Sequence, residues 1–378
     1  MPYWRLSSFY FFYFASLGTL VPYWGLYLKS LGFDAVAIGS LMAILMATKI
    51  VAPNLWGWLA DHLGHRMRIV QLASLLALLS FLGMFAVSGF WGVALVMVFY
   101  SFFWNASLPQ FEAVTFNYLG ERAERYARIR VWGSIGFILT VVGVGQVVDH
   151  AGPGAVMWAV LASFGGVLLA SLLVRDRREE TGHEAQPPLL AVLRRPEVLA
   201  FFAAVFLMQM SHGPYYAFYT IYLQEYGYSK TTIGVLWGLG VVAEVILFLF
   251  MHRLLCRFAS RVILMVSLAL AGLRWLLIGW FPDLLPVLAL SQLLHAASFG
   301  SFHASAIHMI HGYFRGRHQG RGQALYASVS FGAGGAAGTF ASGFIWEHWG
   351  PAFAYTLASA VALLGAMVVW RNVTERKS

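Results

Sequence analysis

Tyr27-Leu28-x-x-x-Gly32-Phe33, followed by Ile38-Gly39, returns 195 residues later as Tyr222-Leu223-x-x-x-Gly227-Tyr228 followed by Ile233-Gly234. A second phrase, Asp149-His150-Ala151-Gly152-Pro153, returns 198 residues later as Glu347-His348-Trp349-Gly350-Pro351. The chain therefore reads as two copies of one unit. Parallel repeats of about six hydrophobic segments, related by an axis along the membrane normal, mark a large class of secondary transporters, with the solute site between the halves near the bilayer midplane.

Composition points to the same solvent. The chain is 60% hydrophobic and 11% charged, with a mean hydropathy of +0.70, far from the balance of a water-soluble domain. Between Arg68 and Glu112 run 43 residues without Asp, Glu, Lys or Arg, interrupted only by the turn-like Ser88-Gly89-Phe90-Trp91-Gly92. Counting stretches able to cross roughly 30 Å of hydrocarbon predicts twelve helices, near 6–28, 36–60, 68–88, 91–118, 127–148, 153–174, 198–224, 231–253, 261–281, 284–312, 321–346 and 351–371. The predicted fold class is an all-α membrane protein, two pseudo-symmetric six-helix halves at 1–174 and 198–378 joined by a polar linker at 175–197. The linker contains Arg-Asp-Arg-Arg-Glu-Glu and Pro187-Pro188 and should be mobile.

Orientation follows from the bases, which are retained on the cytoplasmic side. With the N-terminus inside, 21 Lys and Arg residues, from Arg5, Arg66 and Arg68 to Arg371, Arg376 and Lys377, fall on the cytoplasmic side against Lys29 and Lys230 outside. Both termini are then cytoplasmic, in what the reading takes as a bacterial inner membrane. The same bias accounts for the net charge of +9 as a topogenic signal and a contact for anionic headgroups, with no nucleic-acid partner. The first apolar stretch continues through Pro22-Tyr23-Trp24 without a small-residue cleavage site and reads as a permanent helix. One cysteine, Cys256, excludes a disulfide framework or a cysteine-built metal site.

Few charges remain inside the spans: the acids Glu112 and Glu244 and the clear bases Lys49 and Arg274. Each costs about 2.5–3.5 kcal/mol at mid-depth, so each invites a functional reading. Lys49 precedes the cytoplasmic Asp61 by 12 residues, roughly 18 Å of helix. A static Glu244–Arg274 pair would need no solute and is the structural alternative. Glu112 follows Trp104, Asn105, Pro109 and Gln110, and Arg130 enters the next helix from the same side, so both can reach a cavity; a helix-end salt bridge is the plainer possibility. Held together, an Arg and a carboxylate suit a hydroxylated or carboxylated ligand.

The tenth predicted helix carries His295, His303, His308 and His311, and the seventh carries Gln209, His212, Gly213 and Pro214 beside Tyr215, Tyr216 and Tyr219. Spacings of 8, 5 and 3 scatter the four histidines over different α-helical faces, which argues against a metal cluster. His295, the deepest, is either a satisfied neutral histidine or part of proton coupling. Gly332-Ala333-Gly334-Gly335-Ala336-Ala337-Gly338 lacks the Lys-Ser/Thr ending of a phosphate loop and reads as small residues for close helix packing.

The turn after the second helix, Gly57-Trp58-Leu59-Ala60-Asp61-His62-Leu63-Gly64-His65-Arg66-Met67-Arg68, resembles the Gly-x-x-x-Asp-Arg-x-Gly-Arg-Arg loop of the major facilitator superfamily. His62 and His65 stand where that pattern prefers a base, and the second-half counterpart, His252 to Arg261, lacks the Gly and Asp. Over nearly its whole length the chain resembles the phenylpropionate-permease branch. The residues that carry this are Leu28-Lys29-x-x-Gly32, Arg128-x-Arg130-x-Trp132-Gly133-Ser134, Leu236-Trp237-x-Leu239-Gly240-Val241-Val242-Ala243-Glu244-Val245, Arg274-Trp275 and Gln292-x-Leu294-His295. That branch is similar in turn to lactose permease and nucleoside-proton symporters. The resemblance implies a sugar-binding acid and arginine at Glu112 and Arg130, with Phe137 where a tryptophan would stack. It further implies an eighth-helix acid at Glu244, a ninth-helix arginine at Arg274 and a tenth-helix histidine at His295. Ser298 stands at the expected tenth-helix carboxylate and Gln292 at a lysine, so proton coupling, if present, must use another group, Glu244 or Glu112.

Together these features predict a monomeric, cofactor-free transporter, not an enzyme, that moves a small organic solute (sugar, nucleoside or aromatic or organic acid) with protons by alternating access. Expected solute contacts are Glu112, Arg130, Phe137, Asn105, His212 and Tyr216; expected coupling residues are Glu244, Arg274 and His295. Gating is expected of Asp61, Gly57, Gly64 and Arg66, with Lys49 a further intramembrane charge of no assigned role. An exporter or uniporter keeps the fold. A non-transporting sensor would need an output domain, and a lipid-directed enzyme a nucleophile–base or metal constellation; the sequence offers neither.

Overall fold

The computed structural model describes residues 2–120, 122–176, 192–314 and 318–373, and the regular elements within them are helical. Twelve spanning helices follow one another: α1 (Tyr3–Ser30), α2 (Ala35–Leu63), α3 (Arg66–Leu82), α4 (Phe90–Leu119), α5 (Tyr126–Ala151) and α6 (Ala155–Leu172), then α7 (Pro196–Ser211 and Gly213–Glu225), α8 (Lys230–Arg257) and α9 (Ser260–Trp280). The last three are α10 (Leu285–His295, a π-turn at Ala296–Gly300, then Ser301–Tyr313), α11 (His318–Ala327, a π-turn at Ser328–Gly334, then Gly335–Trp349) and α12 (Pro351–Asn372). The expected linker falls largely on 177–191, outside the described residues. So do Arg177, Arg178, Arg315, Arg317, Arg376 and Lys377 of the base count.

Ten helices are long and apolar enough to cross a membrane; α1 and α11 are not among them. The reason is position. α1 buries 17 of its 28 residues, many of them Tyr, Ser, Thr and Gly, and α11 presents glycines to its neighbours. Faces enclosed by other helices can exchange aliphatic bulk for polar and small residues, while Phe340 and Phe344 keep an exposed apolar face on α11. Lipid-facing helices do the opposite: Leu249 and Leu169 are among the exposed aliphatics, which is the expected polarity in hydrocarbon. Exposed tryptophans sort into two levels, Trp4, Trp58 and Trp370 towards the end that carries the termini and Trp91, Trp158, Trp280 and Trp349 towards the other. Their half-polar rings favour the two interfaces.

The duplication seen in the sequence is physical. Asp34 caps α2 by accepting from Ala37 N at 2.7 Å, and Ser229, 195 residues on, caps α8 by accepting from Thr232 N at 3.1 Å. At the end opposite the termini the two halves cross in pairs. A Cβ on Gly39 of α2 would lie 2.8 Å from Thr339 O of α11, and one on Gly234 of α8 would lie 2.5 Å from Val141 O of α5. Reciprocally, a Cβ on Gly343 would meet Ala35 O, and one on Gly145 would meet Lys230 O. Glycine is required at these four places because backbone fills the volume of a side chain.

Polar ties reinforce the same end. Asp149 at the foot of α5 accepts from Lys230 N and Thr231 N, both at 2.8 Å, at the start of α8. Glu347 at the foot of α11 accepts from Ala35 N at 3.0 Å, at the start of α2. Lys29 pairs with Glu225 at 2.6 Å, and the Tyr23 hydroxyl lies 2.6 Å from Val141 O. The repeated acid-His-x-Gly-Pro phrase of each half thus closes on the repeated Ile-Gly helix start of the other.

Candidate functional site

The first half contributes α1, α4 and α5, with Glu112 seven residues before the end of α4 and Arg130 four residues into α5. Glu112 is half-buried on α4 and its carboxylate accepts from the Tyr126 hydroxyl at 2.9 Å. Arg130, one turn beyond Tyr126 on α5, lays its guanidinium on the Phe14 ring, 3.7 Å from the centroid, with Tyr10 at 5.8 Å. Neither Tyr126 nor Phe14 was singled out in the sequence. The i, i+4 relation of Tyr126 to Arg130 was the available signal. The two charged groups lie in each other's field, with the carboxylate engaged by a phenol and the guanidinium by aromatic faces. The charge of Arg130 also reaches Glu244 and His303 in the other half.

The second half answers with α7 to α11. Glu244 Oε2 lies 3.5 Å from His295 Nε2. Gly300 makes room for the acid, since a Cβ there would stand 3.0 Å from Glu244 Cγ. The static Glu244–Arg274 pair weighed above is not what the structure builds. Arg274 is fully buried, donates from Nε to Ser291 O at 3.0 Å and from Nη2 to Gln292 Oε1 at 3.4 Å, and is enclosed by Tyr215 and Trp275 at 4.2 and 4.7 Å. Cation–π contact with two rings spreads its charge where water is excluded.

The scatter expected of the histidines is corrected by the π-turn. His295, Phe299 and His303 form one stacked column, with centroid separations of 5.0 and 6.3 Å and interplanar angles of 10° and 7°. Eight residues of ideal α-helix would rotate the second histidine by about 80°; the wider Ala296–Gly300 turn takes out that rotation. His303 Nδ1 then meets the Tyr326 hydroxyl at 3.0 Å. His308 and His311 lie on the exposed side, away from this column.

Other predicted residues take supporting positions. Asn105 donates to Leu45 O at 3.1 Å and to Thr48 Oγ1 at 2.9 Å, tying α4 to α2. Phe137 is buried in the packing of α5 on α1, its backbone against Gly18. His212 sits at the break in α7. Its Nδ1–H donates to Met208 O at 2.8 Å, its ring meets Trp275 edge-on at 4.7 Å, and half-buried Tyr216 leans on it at 5.4 Å. Several polar atoms of this half are buried without a partner among the described residues, and Arg274 Nη1, His295 Nδ1, His212 Nε2 and Gln209 Oε1 are among them. Buried polar atoms are normally paired, so such a group calls for water or solute.

The predicted gating loop ties the α2–α3 turn to α4 and, through His65 at 3.6 Å from Asp176, to the start of the linker. Arg66 bridges Asp61 Oδ1 at 2.6 Å and Gln110 Oε1 at 2.8 Å, joining the α2–α3 turn to α4. Gly64 ends α2 at φ +66°, where only glycine is unstrained, and Gly57 leaves space for the Gln110 amide. Lys49 lies at the centre of α2, half-buried, its ammonium 3.7 Å from Met46 Sδ.

Twelve helices, ten of them long and apolar enough to cross a membrane, enclose charged groups from both halves, the architecture of a multi-pass membrane transporter. The chain belongs to the MFS_1 like family, whose model matches residues 3–357. The "Probable 3-phenylpropionic acid transporter" of Escherichia coli (strain K12) is 30% identical over 363 residues, covering 92% of each chain. The maltose permease of Geobacillus stearothermophilus is 26% identical, covering 96% of this chain and 92% of its own. In three dimensions the crystal structure of the nucleoside transporter NupG superposes with a TM-score of 0.85 over 98% of each chain at 17% identity, a likeness of fold. These relatives are transporters, not enzymes.

Proposed function

We propose that the chain is a proton-coupled symporter of a small organic solute in a bacterial inner membrane, with both termini cytoplasmic, working as a monomer by alternating access. The observation that carries this reading is that Arg130, in the field of Glu112 on one half, also acts on Glu244 of the other half, which contacts His295. Glu112 and Arg130 hold the solute, with His212 and Tyr216 lining the far wall. Glu244 carries the proton. Its carboxyl faces His295 and Arg130, so it can take up a proton when those neighbours withdraw and release it when one approaches. Arg274 acts through Gln292 and Tyr215, which brace the helix bearing His295. The solute class is drawn from sugars, nucleosides and aromatic or organic acids, the range spanned by the relatives' names.

The test is Glu244→Gln in proteoliposomes. The amide mimics a permanently protonated acid, so solute should still exchange in counterflow while accumulation under an inward proton gradient is lost. Retained accumulation would remove Glu244 from the coupling role.

A further inference from the structure

Lys49 and Glu244 occupy equivalent places in the two repeats. Lys49 stands 15 residues beyond the α2 cap Asp34, and Glu244 stands 15 beyond the α8 cap Ser229. One position therefore holds a base in the first half and an acid in the second. Glu244 has His295 at 3.5 Å. Lys49 has no described acid within ion-pair distance, and its ammonium lies 3.7 Å from the Met46 thioether.

The direction of Lys49 follows from the rest of α2. Leu45, Thr48 and Trp56 face α4, through Asn105 and the Phe102 and Phe103 rings. Gly39, Met46 and Ile50 face α11, at Gly343, Gly335 and Gly332. Val51, Leu55 and Trp58 are the lipid-exposed residues, at 55%, 49% and 57%. At about 100° per residue Lys49 lies between the α4 and α11 faces, roughly opposite this lipid side. The ammonium thus projects towards the space between the halves.

Charge accounting gives it a ligand. The interior groups Lys49, Arg130 and Arg274 are positive, and Glu112 and Glu244 negative, leaving one positive charge in excess and two when Glu244 carries a proton. An unpaired charge at membrane depth is costly; an anionic solute entering with a proton brings the excess of two back to one and supplies the counter-charge that Lys49 lacks. We propose that Lys49 is the counter-charge for a carboxylate on the solute, so that among the candidate solutes the chain takes small organic anions. This rests on the transport reading above, with the solute seated between Lys49, Arg130 and the second half.

The test uses the purified full chain in detergent, without flux or a proton gradient, so failure of proton coupling leaves it unaffected. A panel pairs carboxylates with their neutral amides, benzoate with benzamide and cinnamate with cinnamamide among them. Two readouts are taken: thermal stabilisation, and protection of Lys49 from reductive methylation by formaldehyde, read by peptide mass spectrometry with Lys29 and Lys230 as internal controls. Carboxylates should stabilise the chain and slow labelling of Lys49 alone, while their amides do neither. Lys49→Gln should weaken carboxylate binding about tenfold or more, and Lys49→Arg should restore part of it. Equal stabilisation by the amides, unchanged carboxylate affinity in Lys49→Gln, or a panel in which no carboxylate protects Lys49 would overturn the assignment. Because the labelling uses the native chain, it decides the matter even where a variant folds poorly.

Discussion

At the scale of the residue, the first half of the site is governed by how two charges are satisfied when no solute is present. Glu112 rests on a phenol and Arg130 on a phenyl face, and each is held ready without neutralising the other directly. On the proposed reading, a solute bridging them would replace those contacts with charge-assisted hydrogen bonds. Removing either charge leaves its counterpart uncompensated, so Glu112→Gln and Arg130→Gln should each be severe, and the double variant should be little worse than either. A double-mutant cycle on solute affinity measures the coupling. Additive losses would separate the two residues. Tyr126→Phe, which removes the hydroxyl donor alone, should weaken binding by a smaller step, on the order of 1 kcal/mol.

Elements fix the reach of these residues more than sequence spacing does. The π-turn in α10 brings His295, Phe299 and His303 into one column and leaves Gly300 where Glu244 needs space. In α2 the positive φ of Gly64 ends the helix so that Arg66 can fold back on Asp61 and on Gln110 of α4. That latch lies at the membrane edge, about 18 Å along the helix from mid-depth. Asp61→Asn should therefore slow transport while leaving solute affinity within a few fold. Initial-rate uptake and equilibrium binding on the same preparation check this, and an affinity loss matching that of Glu112→Gln would move Asp61 into the solute site. Asp61 and the glycines were legible in the sequence as a loop pattern, whereas the π-turn was not. Nothing in Ala296-Ala297-Ser298-Phe299-Gly300 distinguishes a five-residue turn from an α-helical one; packing against α8 and α9 selects it.

For the whole molecule, the two halves are held at one end by a symmetric pair of crossings, α5 on α8 and α11 on α2. Four glycines bring the backbones together, and Asp149 and Glu347 each accept from backbone N–H groups at the start of the opposing helix. Carboxylates at helix N-termini are stabilising, by about 0.5–2 kcal/mol for each capping interaction, so removing both should weaken this closed end by about 1–4 kcal/mol. The expected result for Asp149→Ala with Glu347→Ala is a larger population open at this end. A cysteine placed at the buried Thr339, in a Cys256→Ser background, should then react faster with a membrane-impermeant maleimide. An unchanged labelling rate would show that the glycine crossings alone hold the closure.

The sequence by itself determined the solvent, the number of spans and the duplication. Apolar length, charge-free runs and repeated phrases are local or additive properties that survive without coordinates. It also exposed the intramembrane charges, because a charge in an apolar run is conspicuous wherever its partner lies. Only the tertiary structure decided how those charges are partnered: Glu244 with His295 and not Arg274, Arg274 within two aromatic rings, Glu112 on Tyr126, and Lys49 beside the Met46 thioether with no described acid at ion-pair distance. Partner choice depends on helix rotation, on a π-turn that shifts a face by about 80°, and on contacts between different helices, and a membrane span's composition is nearly indifferent to all three.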